Sequence, residues 1–534
     1  MVIIMPILNW IGKEAVVNHD KEVPFRLLKK VKSLSYGENS QNLIIHGDNL
    51  EALKALMPYY QGQVKCIYID PPYNTGNEGW VYNDKVNSPK IKKWLGKVVG
   101  SESEDLCRHD KWLCMMYPRL KLLKDLLSDD GVIFVSIDDN EYVNLKQIMD
   151  EIFDQENFIT NIVVKMSHLS GVKMTHKEKK LPKIKEYVLF YAKNREKITL
   201  IPQYEVAEWK NAFERYKSFI ENKNSDIETW TVTSLNKAFE LYGGGLDFNS
   251  FCIKNADKIF RTAINRSELF RKVEKQDKFS WHVTKSGKRT LIYKGEEVIF
   301  ADTKLKRVNG KQVPVEALGD IWLDIGINNL ANEGGIEFRF GKKPLKLIKR
   351  IISLTSSEND IVLDSFAGSG TTGHAVLQLN KENNQHRRFI LVEMEDKVVK
   401  DITLERIKNS IKEEKYAEGF EFCELDKPLF NQEGQIEQEC TFEQLATYIY
   451  FTETNTNIDR KAISENFIGG YNETEYYLIF KEKGKNVLSK EVLKMLQKNS
   501  KRKVIYADKC LIDERTLEKH KIQFKQIPYE VKVY

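Results

Sequence analysis

A short apolar segment that ends at two consecutive prolines constrains the fold of this chain more than any other feature. Residues 66–69 are rich in strand-forming side chains, which predicts a buried strand. Asp70, Pro71, Pro72 and Tyr73 follow directly. Each proline fixes its φ angle and lacks an amide hydrogen, so the loop is stiff and its carbonyls stay available as acceptors. Because open α/β sheets place ligands at the carboxyl ends of their strands, we expect a functional loop here.

The residue types in this loop suit methyl transfer to an exocyclic amine. Such a nitrogen is a poor nucleophile because its lone pair is delocalised into the ring. The Asp70 carboxylate and the Pro71 carbonyl can each accept one of its hydrogens, which directs the lone pair at an electrophile. Tyr73 offers an aromatic face on which an extruded base can stack. Positioning and electrostatics suffice for this reaction, so we expect no metal.

Predicted strands and helices alternate around this loop. Asp48 follows a strand at 42–46 and opens a helix, where it can cap that helix or hydrogen-bond an amine or ribose of a ligand. We expect the ends of the strands at 42–46 and 66–69 to lie side by side. The alternation continues and predicts a doubly wound α/β sheet, with strands at 132–137, 161–165 and 187–193 and helices at 112–127 and up to about residue 153.

A second conspicuous segment covers residues 361–373, where a predicted strand runs into a glycine-rich turn and a helix that starts near Thr371. Glycines let a ligand approach the backbone closely, and a helix N-terminus presents free N–H groups. The spacing Gly368-x-Gly370-x-x-Gly373 fits a dinucleotide-binding turn, and an acidic residue follows 20 positions later. On this evidence alone, a nicotinamide site is a credible interpretation.

Two other ligands compete for the same turn. The glycines also begin like a P-loop, but His374 and Ala375 stand where Lys and Ser or Thr are required, which argues against an NTPase. The third candidate is S-adenosylmethionine, with Asp364 facing its cationic methionine end and Glu393 holding its ribose hydroxyls. The loop at 70–73 favours this third ligand, because a hydride-transfer enzyme has no use for it.

Composition sets weaker limits. The 534 residues predict about three or four domains. A net charge of +6 permits nucleic-acid binding, but any DNA footprint must be local. The seven cysteines form no CxxC pair, which favours reduced thiols in a cytosol. The apolar N-terminus lacks the features of a signal peptide, and no run is long enough to span a membrane.

Changes in sequence character predict five segments: an N-terminal arm at 1–40, two α/β segments at 41–194 and 319–418, a central insert at 195–318 and a C-terminal domain at 419–534. The insert interleaves basic residues with aromatics such as Trp209, Phe213 and Tyr216, which fits a nucleic-acid reading surface or a small core of its own. The basic stretch 90–97 suits DNA contact or a solvated loop. The C-terminal domain is expected to be α+β, and serves dimerisation, partner docking or stability alone.

Several motifs together resemble a known family. Residues 70–76, Asp-Pro-Pro-Tyr-Asn-Thr-Gly, resemble the catalytic motif of DNA amino-methyltransferases, and an initial Asp is more typical of adenine-N6 than of cytosine-N4 enzymes. Residues 364–373 resemble the cofactor motif of the β-group of these enzymes, in which the catalytic loop comes first. Gly-Lys-Lys-Pro at 341–344 resembles their segment that touches the methionine moiety. The resemblance implies catalytic roles for Asp70, Pro71, Pro72 and Tyr73, and cofactor contacts for Asp48, Lys343, Pro344, Asp364, Phe366, Gly368, Gly370, Thr371 and Glu393.

The resemblance also implies a function. It predicts a Rossmann-like methyltransferase sheet with permuted motif order, an inserted target-recognition domain, and transfer from S-adenosylmethionine to a flipped adenine in double-stranded DNA. Segments 8–13 and 524–531 resemble modification subunits of type III restriction systems. These are usually cytoplasmic bacterial dimers that work with a separate helicase–nuclease subunit.

Three alternatives remain open at this point. The chain could act mainly as the DNA-recognition subunit of a restriction complex, or methylate cytosine N4. A nicotinamide-dependent oxidoreductase rests on the glycine spacing alone. Binding of NADH without binding of S-adenosylmethionine would favour the oxidoreductase.

Overall fold

The computed structural model of the chain contains two compact units. Residues 1–201 and 320–534 form the first, and residues 202–319 form the second. The structure describes residues 7–37, 40–75, 93, 96–99, 107–167, 181–209, 213–264, 277–283, 287–308, 310–326, 330, 333–338, 341–416, 418–430, 436–437, 439–481, 485–496 and 499–527. Most of the basic stretch 90–97 and Gly76 of the proline-containing motif lie outside these residues.

A ten-stranded sheet forms the centre of the first unit. Six neighbouring strands, from Glu421–Pro428 to Leu127–Ile137, run parallel to one another, and Lys185–Ala192 runs antiparallel to both of its neighbours. From one edge to the other the strands are Arg26–Lys30, Glu421–Pro428, Leu43–His46, Arg388–Glu393, Ile361–Asp364, Val64–Ile69, Leu127–Ile137, Lys185–Ala192, Phe158–Lys165 and Ile321–Trp322.

Helices cover both faces of this sheet. Because side chains alternate along a strand, Ile45, Ile67 and Leu363 join the apolar core on one face, and Phe389 and Leu391 face the helices on the other. The first face is covered by Asn49–Tyr60, Arg108–Leu126 and Tyr142–Phe153, and the second by Leu345–Thr355, Thr371–Asn383 and Leu404–Glu414. The predicted doubly wound, Rossmann-like α/β fold is confirmed.

One expectation about strand neighbours is wrong. The strands Leu43–His46 and Val64–Ile69 do not lie side by side, because Arg388–Glu393 and Ile361–Asp364 lie between them. These two strands come from the second half of the chain and are buried along almost their whole length, which suits the centre of a parallel sheet. The strand that carries the glycine turn therefore borders the strand that carries Asp70.

The second unit has two antiparallel sheets and its own core. One sheet has the order Phe279–Val283, Arg289–Tyr293, Glu296–Phe300, Ile259–Ala263, Ser218–Ile220 and Val232–Ser234, and the other has the order Leu305–Val308, Lys311–Ala317 and Tyr204–Val206. The described part of this unit also contains the helices Leu235–Tyr242 and Phe248–Lys254. Trp209, Phe213 and Tyr216 are buried in this core, so these three aromatics do not form a reading surface. Trp281 is 45% exposed, and the Arg289 guanidinium lies 4.6 Å from the centre of its ring.

The C-terminal part of the chain mixes strands and helices. A four-stranded sheet has the order Phe467–Tyr471, Thr474–Leu478, Arg502–Ala507 and Ile522–Gln526. The helices are Phe442–Thr454, Lys490–Met495 and Glu514–Lys519, and Val487–Leu488 pairs with Lys509–Cys510. The strand Glu421–Pro428, which precedes them, belongs to the large sheet.

Two further observations concern the cysteines and the helices. All seven cysteines are free thiols. Within the described ranges, no helix combines the length and the apolar character needed to cross a bilayer.

Candidate active site

The loop at 70–74 is anchored at the carboxyl end of the buried strand Val64–Ile69. The Trp112 indole N–H donates to the Pro72 carbonyl at 2.6 Å, whereas no donor among the described residues reaches the Pro71 carbonyl. Asn74 has a φ of 56°, and its side chain donates to the Arg108 carbonyl at 3.1 Å. The loop is therefore fixed on both sides of Tyr73, and the Pro71 carbonyl can still accept a hydrogen bond.

A buried network surrounds the Asp70 carboxyl. The Lys343 ammonium lies 3.2 Å from Asp70 Oδ1 and 2.7 Å from Glu186 Oε2. It also donates to the Tyr73 hydroxyl at 2.6 Å, and this hydroxyl donates to Glu186 Oε2 at 2.9 Å. Burial raises the pKa of the Asp70 carboxyl to about 6, although the positive charge of Lys343 acts in the opposite direction. Asp70 is therefore ionised for the most part at neutral pH.

A second buried carboxyl lies on the adjacent strand. Asp364 ends the strand Ile361–Asp364, which pairs in parallel with the strand that leads into Asp70. Its oxygens accept the Phe366 N–H at 3.0 Å and the Thr372 hydroxyl at 2.6 Å. Burial raises the pKa of Asp364 to about 7, against the effect of these two hydrogen bonds. Two carboxyl groups thus meet at one edge of the sheet.

The glycine turn is held by side chains from three directions. Gly370 precedes the helix Thr371–Asn383 with a φ of 76°, which favours glycine. The Gly368 N–H donates to Glu393 Oε2 at 2.9 Å, and the Gly368 carbonyl accepts the Thr403 hydroxyl at 2.6 Å. The fully buried Arg406 donates to the Thr371 hydroxyl at 2.7 Å. The turn is therefore preorganised, and Glu393 contributes to its shape.

Six of the thirteen predicted site residues line one pocket. Its walls are formed by Tyr68, Asp70, Gly341, Lys343, Asp364, Phe366, Ala367, Gly368, Ser369, Thr371 and Thr372. Two buried acids, one buried ammonium, a phenyl ring and the start of a helix suit a ligand that carries both positive and negative groups. The structure thus brings Asp70 and the glycine turn together at one edge of the sheet.

Asp48 and Pro344 lie outside the walls of this pocket. Asp48 caps the helix Asn49–Tyr60 by accepting the Leu50 N–H at 2.9 Å, and it faces Arg119 at 3.3 Å. It lines a neighbouring cavity together with Arg26, His46, Gly47, Glu51, Glu424 and Leu425. Pro344 precedes the helix Leu345–Thr355.

Sequence reasoning missed several residues of this site. Glu186 lies directly before the predicted strand 187–193 and within the observed strand Lys185–Ala192, and Trp112 and Arg406 lie within amphipathic helices. No local motif marks them, since Glu186 is 157 positions from Lys343 and Arg406 is 35 positions from Thr371. The one usable signal was a charged residue at the start of an otherwise apolar strand.

An open α/β sheet that brings the loop at 70–73 and the glycine turn to one edge is suited to group transfer. Residues 64–404 match the DNA methylase family. The match covers more than half of the chain, so the chain belongs to the DNA methylase family. It is 33% identical over 433 residues to the type III restriction-modification enzyme EcoPI Mod subunit of Escherichia phage P1, covering 74% of this chain and 64% of that protein.

Other similar proteins carry related names. The type III restriction-modification enzyme EcoP15I Mod subunit of Escherichia coli is 31% identical over 433 residues, covering 73% of this chain and 64% of that protein. Among solved structures, the PvuII DNA methyltransferase (cytosine-N4-specific) is 14% identical with a TM-score of 0.31, covering 70% of this chain and 92% of that one. The chain spans 52% to 64% of the length of the type III Mod subunits it matches.

Proposed function

We propose that this chain transfers the methyl group of S-adenosylmethionine to N6 of an adenine that is flipped out of duplex DNA. The observation that carries the proposal is the pairing of the strands that end at Asp70 and Asp364, because it brings the amine-accepting loop and the glycine turn to one pocket. Membership of the DNA methylase family supports the same reaction class.

The residues around the pocket fit S-adenosylmethionine. Its sulfonium and ammonium groups are cations, which suit the buried Asp364 carboxyl in the wall of this pocket. Its carboxylate suits the free N–H groups at the start of the helix Thr371–Asn383. A Cβ atom at Gly370 would lie 3.1 Å from Thr403 Cγ2, so the turn has little space for a side chain. When bound, the sulfonium supplies an electrophilic methyl group.

The residues of the loop at 70–73 would orient the adenine. The Asp70 carboxylate and the Pro71 carbonyl accept the two amine hydrogens, so that the nitrogen lone pair points at the methyl group. Tyr73 stacks on the base, and Pro72 is fixed by Trp112. Extruding the base costs a few kcal/mol, which these contacts offset. The extra proton on the methylated nitrogen then leaves to water.

The remaining cofactor roles are part of the same proposal. Phe366, the backbone of Gly368, Thr371 and Lys343 all line the pocket, and each would contact the cofactor there. Both Glu393 oxygens accept backbone N–H groups, and a carboxylate oxygen can accept more than one hydrogen bond, so Glu393 would also hold a ribose hydroxyl. Asp48 would approach the cofactor adenine from the neighbouring cavity, and Pro344 would fix the backbone beside Lys343.

We further propose that the chain is the modification subunit of a type III-like restriction-modification system in the bacterial cytoplasm. Similar proteins are named type III Mod subunits, and the described residues contain no helix able to span a membrane. The chain would then act on double-stranded DNA as a homodimer, together with a separate helicase–nuclease subunit. Light scattering would test the dimer, and affinity purification from the native host would test the partner. A strict monomer that purifies alone would contradict this assembly.

Replacing Asp70 tests the proposed reaction. Because Asp70→Ala removes the acceptor for one amine hydrogen, we expect transfer of radiolabelled methyl groups to DNA to fall by about 100-fold or more. The affinity for S-adenosylmethionine, measured by calorimetry, should change only a few-fold. Asp129→Ala is the matched control, because Asp129 pairs with Lys197 on the surface. An Asp70→Ala protein that methylates at nearly the wild-type rate would refute the assignment.

A further inference from the structure

Lys343 makes contacts that its position in a cofactor motif does not predict. Its ammonium faces Asp70, Glu186 and the Tyr73 hydroxyl at once, at 3.2, 2.7 and 2.6 Å. It also lies 4.7 Å from the centre of the Tyr73 ring. Asp70 and Tyr73 belong to the loop at 70–73, and Glu186 belongs to the strand Lys185–Ala192. Lys343 is buried, so this charge is screened from water and acts strongly on its neighbours.

From this geometry we infer that the ion pair between the buried Lys343 and the partly buried Glu186 sets the charge and the position of Asp70. Neither Glu186 nor this use of Lys343 follows from the sequence motifs. The inference rests on the proposed methyl transfer, since it concerns the group that would accept the adenine amine. Lys343 and Glu186 are positioning residues in this account, because they act through Asp70 and Tyr73.

Asp70, Glu186 and Lys343 place two acidic groups around one ammonium. With Asp70 and Glu186 ionised and Lys343 protonated, the network carries a net charge of −1. Burial alone would lower the pKa of Lys343, but Asp70 and Glu186 together raise it above its ordinary value, so the lysine stays charged. The remaining negative charge favours the sulfonium before transfer and the cationic amine that transfer produces.

Glu186 also fixes the aromatic ring beside Asp70. One of its oxygens accepts from both the Lys343 ammonium and the Tyr73 hydroxyl. The Tyr73 hydroxyl donates to Glu186, and the Lys343 ammonium lies over the Tyr73 ring. The ring therefore has little freedom to rotate before a base stacks on it. Pre-fixing such a side chain avoids an entropic cost at the moment of binding.

The ion pair predicts opposite pH effects for its two members. The groups that face Asp70 are Lys343 and Glu186, with Tyr73, Tyr68 and Asp364 next to them. Only ionised Asp70 accepts the amine hydrogen, so the rate should rise with pH as Asp70 loses its proton. Removing the positive charge of Lys343 raises the pKa of Asp70, and removing the negative charge of Glu186 lowers it.

The test is the pH dependence of the single-turnover methylation rate with DNA and saturating S-adenosylmethionine. For Lys343→Met we expect the midpoint of the rise of the rate with pH to move up by about one pH unit or more. The rate at pH 7 then falls by up to about tenfold and recovers at alkaline pH. For Glu186→Gln we expect the midpoint to move down. Lys343→Arg keeps the charge and should move the midpoint less than Lys343→Met.

Lys342→Met is the matched control. Lys342 is buried next to Lys343, but its ammonium donates to the Glu333 and Ile336 carbonyls at 2.9 and 3.0 Å. Replacing Lys342 should leave the midpoint of the pH–rate curve within about 0.3 pH units of the wild-type value, because a direct charge effect on Asp70 would move it by about one unit. Any stability loss from removing a buried lysine is then separated from the effect on Asp70.

The possible results separate the two proposals. Midpoints of Lys343→Met and Glu186→Gln that stay in place, or move in the same direction, would overturn the ion-pair role while wild-type methylation stands. If Lys343→Met does not fold, Glu186→Gln decides alone, and a midpoint that fails to move down overturns the inference. A wild-type protein that methylates at no pH would refute the proposed function, and the inference with it.

Discussion

The two carboxyl groups of the candidate site are unfavourable for the stability of the ligand-free protein. Asp70 and Asp364 are both buried, and burial raises the pKa values of their carboxyl groups to about 6 and about 7. A folded state that binds a proton more tightly than the unfolded state loses stability as the pH rises from the ordinary carboxyl pKa to the raised one. Such local conflict is expected at functional sites, where a ligand supplies the missing charge.

Asp364→Asn should therefore separate stability from binding. Between about pH 4 and pH 7 the folded protein holds a proton on Asp364 that the unfolded chain releases, so the wild type loses stability across this interval. The amide carries no charge, and we expect it to stabilise the ligand-free protein at pH 8 by about 1–3 kcal/mol, with a smaller effect at pH 5. Thermal unfolding at both pH values measures this.

The same variant should bind S-adenosylmethionine about tenfold more weakly or worse, because the cationic end of the cofactor loses its partner. Calorimetry at pH 8 would measure the affinity. A variant that melts below the wild type at pH 8, or that keeps full affinity, would contradict the role of Asp364.

Asp70 and Asp364 stand out in the sequence because each comes at the end of an apolar strand and within a local motif. Glu186 could not, since its partners Tyr73 and Lys343 are 113 and 157 positions away. The sequence motif predicts that Lys343 contacts the cofactor. Its ammonium contacts Asp70 and Tyr73 of the loop at 70–73, and no pattern in the sequence predicts these contacts.

At the scale of elements, a strand, a turn and a helix act as one unit around Gly370. The turn connects Ile361–Asp364 to Thr371–Asn383, and Gly370 has a φ of 76° directly before Thr371 and Thr372, which line the pocket. Thr403 packs against Gly370 from the segment before the helix Leu404–Glu414. The shape of the turn thus depends on the contact between two helices.

Gly370→Ala should disturb this unit in two ways. The left-handed backbone costs alanine about 1–2 kcal/mol, and the new Cβ atom would lie 3.1 Å from Thr403 Cγ2. We expect a lower melting temperature and a loss of S-adenosylmethionine affinity of about tenfold or more. Gly62→Ala is the control, because Gly62 has a φ of 67° with no atom within 4 Å of its Cβ position. Equal effects of both variants on cofactor affinity would contradict the role of the turn.

Helices and strands were more predictable than their order in the sheet. Apolar periodicity indicates elements such as Tyr142–Phe153 and Arg388–Glu393 because burial determines their pattern. Periodicity carries no information about neighbours, so the expected contact between the strand ends at 46 and 69 was wrong. The strand Glu421–Pro428 escaped detection because charged residues interrupt its apolar pattern.

At the scale of the whole molecule, the unit at 202–319 begins and ends at one place. The Leu318 N–H donates to the Gln203 carbonyl at 2.9 Å, and the strand Tyr204–Val206 pairs with Lys311–Ala317. The unit has a core of its own around Phe219 and Phe251. The predicted insert at 195–318 has similar limits, and its role in target recognition stays a prediction.

Replacing residues 203–318 by a short glycine–serine linker tests that role. Because the ends of the segment are close together, we expect the rest of the chain to fold. Its affinity for S-adenosylmethionine should stay within about threefold of the wild-type affinity. Site-specific methylation of DNA should disappear. Retained methylation at the wild-type sites would exclude this unit from target recognition.

The aromatic residues of this unit show the limit of composition as evidence. Interleaved aromatic and basic residues fit both a nucleic-acid surface and a small core, and the sequence does not distinguish them. The structure buries Trp209, Phe213 and Tyr216, and it leaves Trp281 half exposed under Arg289. Only tertiary packing decides which aromatic side chains can meet DNA.

Mass spectrometry of nucleosides tests the central claim most directly. Purified protein would be incubated with S-adenosylmethionine and unmethylated genomic DNA, with Asp70→Ala as the control, and the DNA would be digested to nucleosides. We predict N6-methyladenine with the intact protein and none above background with the variant. N4-methylcytosine would contradict the proposed base, and the absence of any methylated nucleoside despite measured cofactor binding would contradict the proposed reaction.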